Sequence, residues 1–263
     1  RGTCRVMNKT EQWVAFKTIL IKEFLRFIRI WKQTVLPPMI TTGLYFIIFG
    51  NLIGDRIGSM DGYRYIDFIV PGLILMAVIT QSYANTDSSF YMAKFQRHIE
   101  EMMVSPTPNY IIILGYTGGG IARGLIVGIS VTAVSMLFTR LNIHNLAILL
   151  SIVILTATLF SLAGIINAIY AKTFDDISII PTFILTPLTY LGGIFYSISL
   201  LPEFWQWVSL ANPILYMINA FRFGFIGVSD IHLLISYGII LGFIAVLYLY
   251  CLTLLNKGVG IRS

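Results

Sequence analysis

A chain of 263 residues would suit one or two globular domains, but 57% hydrophobic and only 11% charged residues, with a mean hydropathy of +0.82, exclude a water-soluble surface and place it in a membrane. The net charge of +6 is not a nucleic-acid footprint, because the basic residues flank apolar runs and do not form a stretch interleaved with aromatics. Cys4 and Cys251 stand far apart with no nearby His or Asp, so neither a disulfide framework nor a metal site is indicated.

No phosphate-binding loop, HExxH, GxSxG or CxxC pattern occurs, so catalytic residues and bound cofactors are not expected here, and any driving nucleotide belongs to another chain. The stretch from Leu146 to Ile169 is apolar on every face, which suits a helix in lipid and not the alternating strands of a membrane barrel.

In chain order, residues 1–6 lack the apolar core and cleavage site of a signal peptide, and Met7 reads as a natural start, which makes 1–6 an upstream scar and 1–10 a tail. Over 11–33, Trp13, Phe16, Leu20, Phe24, Phe27 and Trp31 recur at helical spacing opposite Lys17, Lys22, Arg26, Arg29 and Lys32. This predicts an amphipathic interfacial helix on an anionic leaflet. A first span follows over about 34–52, with Pro37 and Pro38 in its opening turn. After a short polar loop, a second span over 66–91 contains a bend at Pro71-Gly72 and carries Asp67 and Asp87 near its ends.

The segment 93–108 is a charged island between runs that only lipid would accept. Its core reads as a short amphipathic helix, with Phe95, Ile99 and Met102 on one face, Lys94, Arg97, His98, Glu100 and Glu101 on the other, and a Ser-Pro-Thr-Pro stop. Such a peg plugs into a partner protein or lies on lipid, and its paired carboxylates favour a basic groove on a protein. The third span, 109–138, repeats Gly120, Gly124 and Gly128 on one face, a close-packing signal, and buries Arg123, for which Asp87 is a candidate intramembrane partner. His144 reads as a loop residue before the fourth span, 146–171, and the fifth, 177–196, is interrupted by Pro181 and Pro187. Residues 200–226 are apolar but split by Pro213 into halves too short to cross, predicting a re-entrant outer hairpin before a last span at 232–255.

Charge tests this topology. Lys9, Lys17, Lys22, Arg26, Arg29, Lys32, Lys94, Arg97, Lys172, Lys257 and Arg262 fall on one side, against Arg56, Arg64, Arg140 and Arg222 on the other, so both termini are expected in the cytoplasm of a six-span, all-α protein. Tyr45, Phe46, Phe49, Tyr190, Phe195 and Tyr196 are candidates to line a substrate path or dimer face, with interfacial anchoring as the simpler reading.

Several of these stretches together resemble type-2 ABC exporter permeases: Leu191-Gly192-Gly193-Ile194-Phe195 closing the fifth span, Leu201-Pro202, Asn212-Pro213, Tyr216 and Arg222, the Phe68-Ile69-Val70-Pro71-Gly72-Leu73 run, and Glu100-Glu101-Met102-Met103. The likeness covers nearly all of the chain after Met7 and is strongest to bacterial inner-membrane permeases of the drug and polysaccharide exporter branch. It implies a homodimer with two separate ATPase subunits that bind ATP and Mg. It also implies that 94–105 is the coupling helix, with Phe95, Arg97, Ile99, Glu100, Glu101 and Met102 in the ATPase contact, and that spans one and five meet in the dimer. The competing classes are an ion-coupled secondary carrier, which needs a mid-membrane ionisable group, and a membrane-embedded enzyme, which needs a catalytic constellation.

Overall fold

A computed structural model describes residues 7–260, apart from Asp61 and Asn142; the expectations for residues 1–6, for Asn142 and for the Arg262 tail lie outside the described residues. The protein is an all-α membrane protein. Among the described residues, five helical stretches are long and apolar enough to cross a bilayer: Trp31–Gly50, Tyr65–Phe95, Asn109–Ser135, Leu146–Tyr170 and Leu233–Lys257.

Helix α1 (Lys9–Arg29) opens on a capping box between Asn8 and Glu11 and buries Ile19, Glu23 and Phe27. The chain breaks at Ile30, so α2 (Trp31–Tyr45) starts earlier than expected and runs through a π-helical stretch, Phe46–Ile53, into α3 (Gly54–Ile57). Pro37 and Pro38 therefore lie inside α2 and not in its opening turn, where they remove two backbone donors from the helical ladder. The loop beyond is a small hairpin, β1 (Ser59–Met60) against β2 (Tyr63–Arg64), with Ser59 opposite Arg64.

Helix α4 (Tyr65–Phe95) is the axis of the bundle and packs along α6 (Asn109–Ser135) and α7 (Leu146–Tyr170). Pro71-Gly72 stays within one continuous helix, and Gly72 admits Ile194 so closely that an added Cβ would sit 3.0 Å from the Ile194 backbone. The glycine stripe of α6 does what its spacing predicts. A Cβ on Gly120 would lie 2.1 Å from Ser161 Oγ, and one on Gly124 would lie 2.2 Å from Ser82 Oγ, so α4 and α7 both press against this face. Thr86 adds a hydroxyl bond of 2.9 Å across to the Ser161 carbonyl.

The predicted fifth span is in three pieces. Helix α8 (Phe174–Ile180) passes through a π-helical turn, Pro181–Leu185, into α9 (Thr186–Tyr190), because the two prolines interrupt the α-helical ladder. Of the next pair, α10 (Glu203–Leu210) exposes Phe204, Trp205 and Trp207, whereas α11 (Pro213–Ile226) is sunk into the bundle against α4 and α7. Asn212 both caps α11 through the Ile214 amide and donates to the Leu188 carbonyl at 2.6 Å. Helix α12 (Leu233–Lys257) lines the outside and shows most of its apolar surface. That pattern suits a face turned to lipid.

Candidate functional site: the elbow below α4 and its neighbouring cleft

The charged island forms a rigid elbow. Helix α4 ends at Phe95, Arg97 adopts φ = +61° and ψ = +8°, and α5 (His98–Val104) sets off in a new direction. A left-handed conformation at a non-glycine residue costs roughly 1–2 kcal/mol and persists only where surrounding contacts enforce it. Those contacts are visible. Lys94 Nζ donates to the carbonyls of Ile169 (2.6 Å) and Ala171 (2.8 Å), closing the carboxyl end of α7. Tyr91 donates its hydroxyl to the Lys172 carbonyl at 3.2 Å. Beyond this link Thr173 and Asp176 form a capping box for α8, and the amides of Lys172 and Thr173 hold the Asp176 carboxyl below the usual carboxylate range.

This geometry corrects the expected partner face. The positive φ at Arg97 resets the helical phase, so Phe95, Ile99 and Met102 do not share one face. Ile99 is 0% exposed, within a core formed with Phe90, Ile112 and Tyr116, and is an anchor for this chain's own bundle. Lys94 also turns inward, to its carbonyls. What points outward is Phe95 (64% exposed) beside Phe174, together with Arg97, His98, Glu101 and Val104 (88% exposed), while Glu100 and Met102 are half-buried.

The Arg123–Asp87 pair is not formed. Arg123, 7% exposed, donates from Nε to Gln81 Oε1 at 3.1 Å, bonds the same oxygen through a second guanidinium nitrogen, and reaches Asn85 Oδ1 at 3.5 Å. Asp87 instead accepts from Asn167 Nδ2 at 3.1 Å on each oxygen, and that amide also donates to the Ile177 carbonyl. Asp87 and Arg123 are served by neutral amides on neighbouring helices, which leaves them no need of each other.

Arg26 reads in the sequence only as part of a basic amphipathic face and Glu23 carries no expectation there, whereas the structure gives both a specific task. Glu23 is 0% exposed, accepts from Ser89 at 2.7 Å, and pairs with Arg26 at 3.4 Å. Arg26 donates to both the carbonyl and the side-chain oxygen of Asn85, each at 2.9 Å. The interfacial helix is thereby clasped to α4, and its close approach to α6 is permitted by Gly115 and Gly119, where a Cβ would lie 2.5 Å from Ile19 and from Glu23 respectively. Between α1, the end of α4 and α8 opens a cleft of about 650 Å³, lined by Lys22, Arg26, Met92, Phe174, Ile177 and Pro181 among others.

At the far end of α2 the structure brings the candidate path residues together. Phe49 and Phe195 have ring centroids 4.9 Å apart, Tyr190 stacks near Phe195 at 6.0 Å, and the Tyr45 and Tyr190 hydroxyls meet at 3.2 Å. Tyr196 donates to the Tyr190 carbonyl, whereas Phe46 turns away to Phe138. Arg222, expected within the outer hairpin, has its side chain turned into the bundle. It is buried on α11, 3.7 Å from the Phe68 ring centre, and donates to the Gly193 carbonyl at 2.7 Å. His144 packs against Phe223 as a loop residue.

Lipid-length helices around a polar-seamed interior, with a short helix braced on their ends, are the frame of a multi-pass membrane protein. The chain belongs to the ABC-2 type transporter family, whose model matches residues 14–226. It is 59% identical over 251 residues to the inner membrane transport permease YadH of Escherichia coli strain K12, covering 95% of this chain and 98% of that protein. More distantly, it is 21% identical to nodulation protein J of Rhizobium leguminosarum bv. viciae, covering 86% of this chain and 90% of that one, and 22% identical to the protein of the same name from Rhizobium meliloti, covering 93% of each. It is therefore an ABC transporter permease, a non-enzymatic transport subunit.

Proposed function

We propose that the chain is the permease half of an ATP-driven exporter in the bacterial inner membrane, with both termini in the cytoplasm. It moves an amphiphilic, drug-like or glycan-bearing substrate outward by alternating access. Two copies pair, two separate ATPase subunits dock beneath them, and ATP and Mg are bound in those subunits. The observation that carries this reading is the elbow. The elbow presents Phe95, Arg97, His98, Glu101 and Val104 outward, joins α5 to α4 at Arg97, and is fixed to α7 just before the joint through Lys94. Movement imposed on such a helix passes to the bundle, and transport needs only that the ATPase bind two arrangements of the helices with different free energy. Spans one and five are the proposed dimer contact, with the Tyr45–Phe49–Tyr190–Phe195 cluster beside it.

An ion-coupled carrier finds weaker support, because Asp87 sits only about two turns from the end of α4 and is occupied by Asn167. Co-expression with the ATPase subunit and native mass spectrometry of the purified complex tests the exporter reading. Two permeases with two ATPases are expected. Glu101→Lys should weaken docking in a salt-dependent way, since it sets like charge against a basic groove. A permease that never retains an ATPase subunit would refute the assignment.

A further inference from the structure

Helices α6 and α7 press together near mid-span and part towards the loop that joins them, for a reason written in both sequences. Where they meet, small residues face each other: an added Cβ on Gly120 would lie 2.1 Å from Ser161 Oγ, and one on Gly124 would lie 3.3 Å from Ala157 Cβ. Carried on by fours, the α6 stripe changes from Gly128 to Thr132 and Met136, and α7 answers with Val153, Leu149 and Leu146. Side chains of this size hold the two backbones apart. A groove of about 270 Å³ opens between them. Its floor is Ile74 of α4 with Phe221 and Phe225 of α11, all nearly inaccessible, and its lips are exposed Ile129 and Met136 on one side and Leu150 on the other.

Water is a poor occupant. Thr132 brings the one hydroxyl among the described lining residues, and it is spent on the Gly128 carbonyl at 2.7 Å. An apolar cavity with no free polar partners stays dry and takes apolar molecules. Both lips belong to helices of bilayer length, so hydrocarbon is what reaches them. The step from Gly128 to Met136 rises about 12 Å, close to the roughly 15 Å of hydrocarbon in one leaflet. The end of the groove nearest the α6–α7 loop is polar. Ile143 and Phe225 also line a second cavity of about 390 Å³, shared with Tyr63, Asp67 and Arg140. There Asp67 is matched by Arg64 Nε at 3.0 Å and by the Thr139 hydroxyl, and the Tyr63 hydroxyl donates to the Ile226 carbonyl at 3.1 Å. Arg140 is exposed and makes no hydrogen bond or ion pair with the described residues.

We propose that the groove between α6 and α7 is a structural lipid site, in which one acyl chain of a phospholipid lies on the Ile74–Phe221–Phe225 floor and its phosphate meets Arg140. The chain fills a gap that the side chains of α6 and α7 leave open, and the guanidinium fork suits a phosphate at the headgroup level. Such a lipid is a fixed part of the bundle and not cargo. Its place in the outer leaflet rests on the proposed orientation of the permease, but the site itself does not.

The test takes the full-length permease from nanodiscs of phosphatidylglycerol into detergent and counts retained lipid by native mass spectrometry. Wild type should keep a tightly held phosphatidylglycerol on each chain. Ala133→Phe puts a ring into the groove from an exposed position of α6 and should lower that occupancy at least about fivefold, whereas Ala147→Phe, exposed on α7 outside the groove, should leave it unchanged. Leu150→Trp, on the opposite lip, repeats the block should Ala133→Phe fail to accumulate. Arg140→Gln should cost about fivefold, the pull of one basic side chain on an anionic headgroup, and Arg56→Gln, exposed and outside both cavities, should cost nothing. Equal losses in the groove variants and their controls would reduce the site to ordinary surrounding lipid and overturn the proposal. Retention of diacylglycerol as firmly as phosphatidylglycerol would overturn the Arg140 contact, and release of the lipid by millimolar inorganic phosphate would overturn the acyl chain as its anchor. Loss of permease pairing in Ala133→Phe with lipid occupancy unchanged would give the groove to a second copy instead. The lipid count is blind to orientation and to ATPase binding, so its failure and that of the exporter reading are distinct.

Discussion

Ile99 and Val104 lie on the same short helix and should fail in different ways when replaced. Ile99 is completely buried among Phe90, Ile112 and Tyr116, so Ile99→Ala removes apolar contact from the permease itself, at about 2–5 kcal/mol for a large-to-small core change. For a chain of this size each kcal/mol lowers the melting temperature by about 2–4 °C, so a fall of roughly 4–20 °C is expected. Val104 is 88% exposed, and Val104→Asp in the free permease should stay within about 0.5 kcal/mol of wild type. In the docked complex, burial of a valine contributes about 1.5–3 kcal/mol, and a stranded carboxylate adds a desolvation cost. Since about 1.4 kcal/mol is a tenfold change in affinity, ATPase capture should drop at least about tenfold. Tryptophan-fluorescence melting of the detergent-purified permease, paired with ATPase capture at matched membrane levels, separates the two. A Val104→Asp variant that melts early yet captures ATPase normally would mean that the outward face of α5 is not the docking surface.

Gly164 faces backbone, with an added Cβ 2.6 Å from the Tyr83 carbonyl oxygen and 3.1 Å from the Asp87 amide, so Gly164→Ala should force α4 and α7 apart at about 1–3 kcal/mol of overpacking. Gly238 has nothing within 4 Å, and Gly238→Ala should melt at or slightly above the wild-type temperature; equal destabilisation of both would contradict the packing described. The Asp176 cap of α8 has a carboxyl pKa depressed by the Lys172 and Thr173 amides. Its contribution is therefore present above the unfolded-state value of about 3.9 and is lost as pH falls through the lower folded value. Hydrogen exchange at those two amides should show protection at neutral pH that persists until strongly acidic conditions, and loss near pH 6 would disprove the cap. For topology, Ser199→Cys and Ser229→Cys, in a chain with Cys4 and Cys251 replaced by serine, should both react with a membrane-impermeant thiol reagent from the periplasmic side. Labelling of only one would refute the outer placement of α10 and α11.

The long apolar helices are legible in the sequence because lipid demands an unbroken apolar run of sufficient length. Helix α7 was expected over 146–171 and runs Leu146–Tyr170; α12 was expected over 232–255 and runs Leu233–Lys257. The glycine stripe of α6 was legible for the same reason, since a repeat of small residues has few uses in an apolar helix. The elbow was not, because its left-handed turn falls on an arginine and carries no glycine to announce it. Helical spacing read straight through Arg97 and placed Ile99 on the wrong side. Nor was the polar seam legible. Asn85, Gln81 and Asn167 find partners 38 to 80 residues away, and an amide in a span does not say which charge it will serve. One local signal existed for Glu23, as the lone carboxylate between Lys17 and Lys32 on an otherwise basic helix. A charge that breaks such a pattern is more easily explained by an inward partner than by a lipid surface.

The arrangement around α4 also limits how force can travel. At 31 residues the helix is about 46 Å long, enough to join the elbow at one end to the neighbourhood of the aromatic cluster at the other. Lateral play is restricted along its length. Arg26 holds it to α1 through Asn85, Thr86 ties it to α7, and Gly72 lets Ile194 press against it next to Phe195. A displacement of α5 therefore cannot be absorbed at the junction, where Lys94 is fixed to α7, and must either move α4 with α7 as one unit or open the α1 clasp. The segments best suited to yield are those with the weakest helical ladders, the π-helical stretch Phe46–Ile53 and the proline-flanked Pro181–Leu185. Each leads into residues of the Tyr45–Phe49–Tyr190–Phe195 cluster, so compliance lies next to the proposed path while the proposed connection to the ATPase stays stiff.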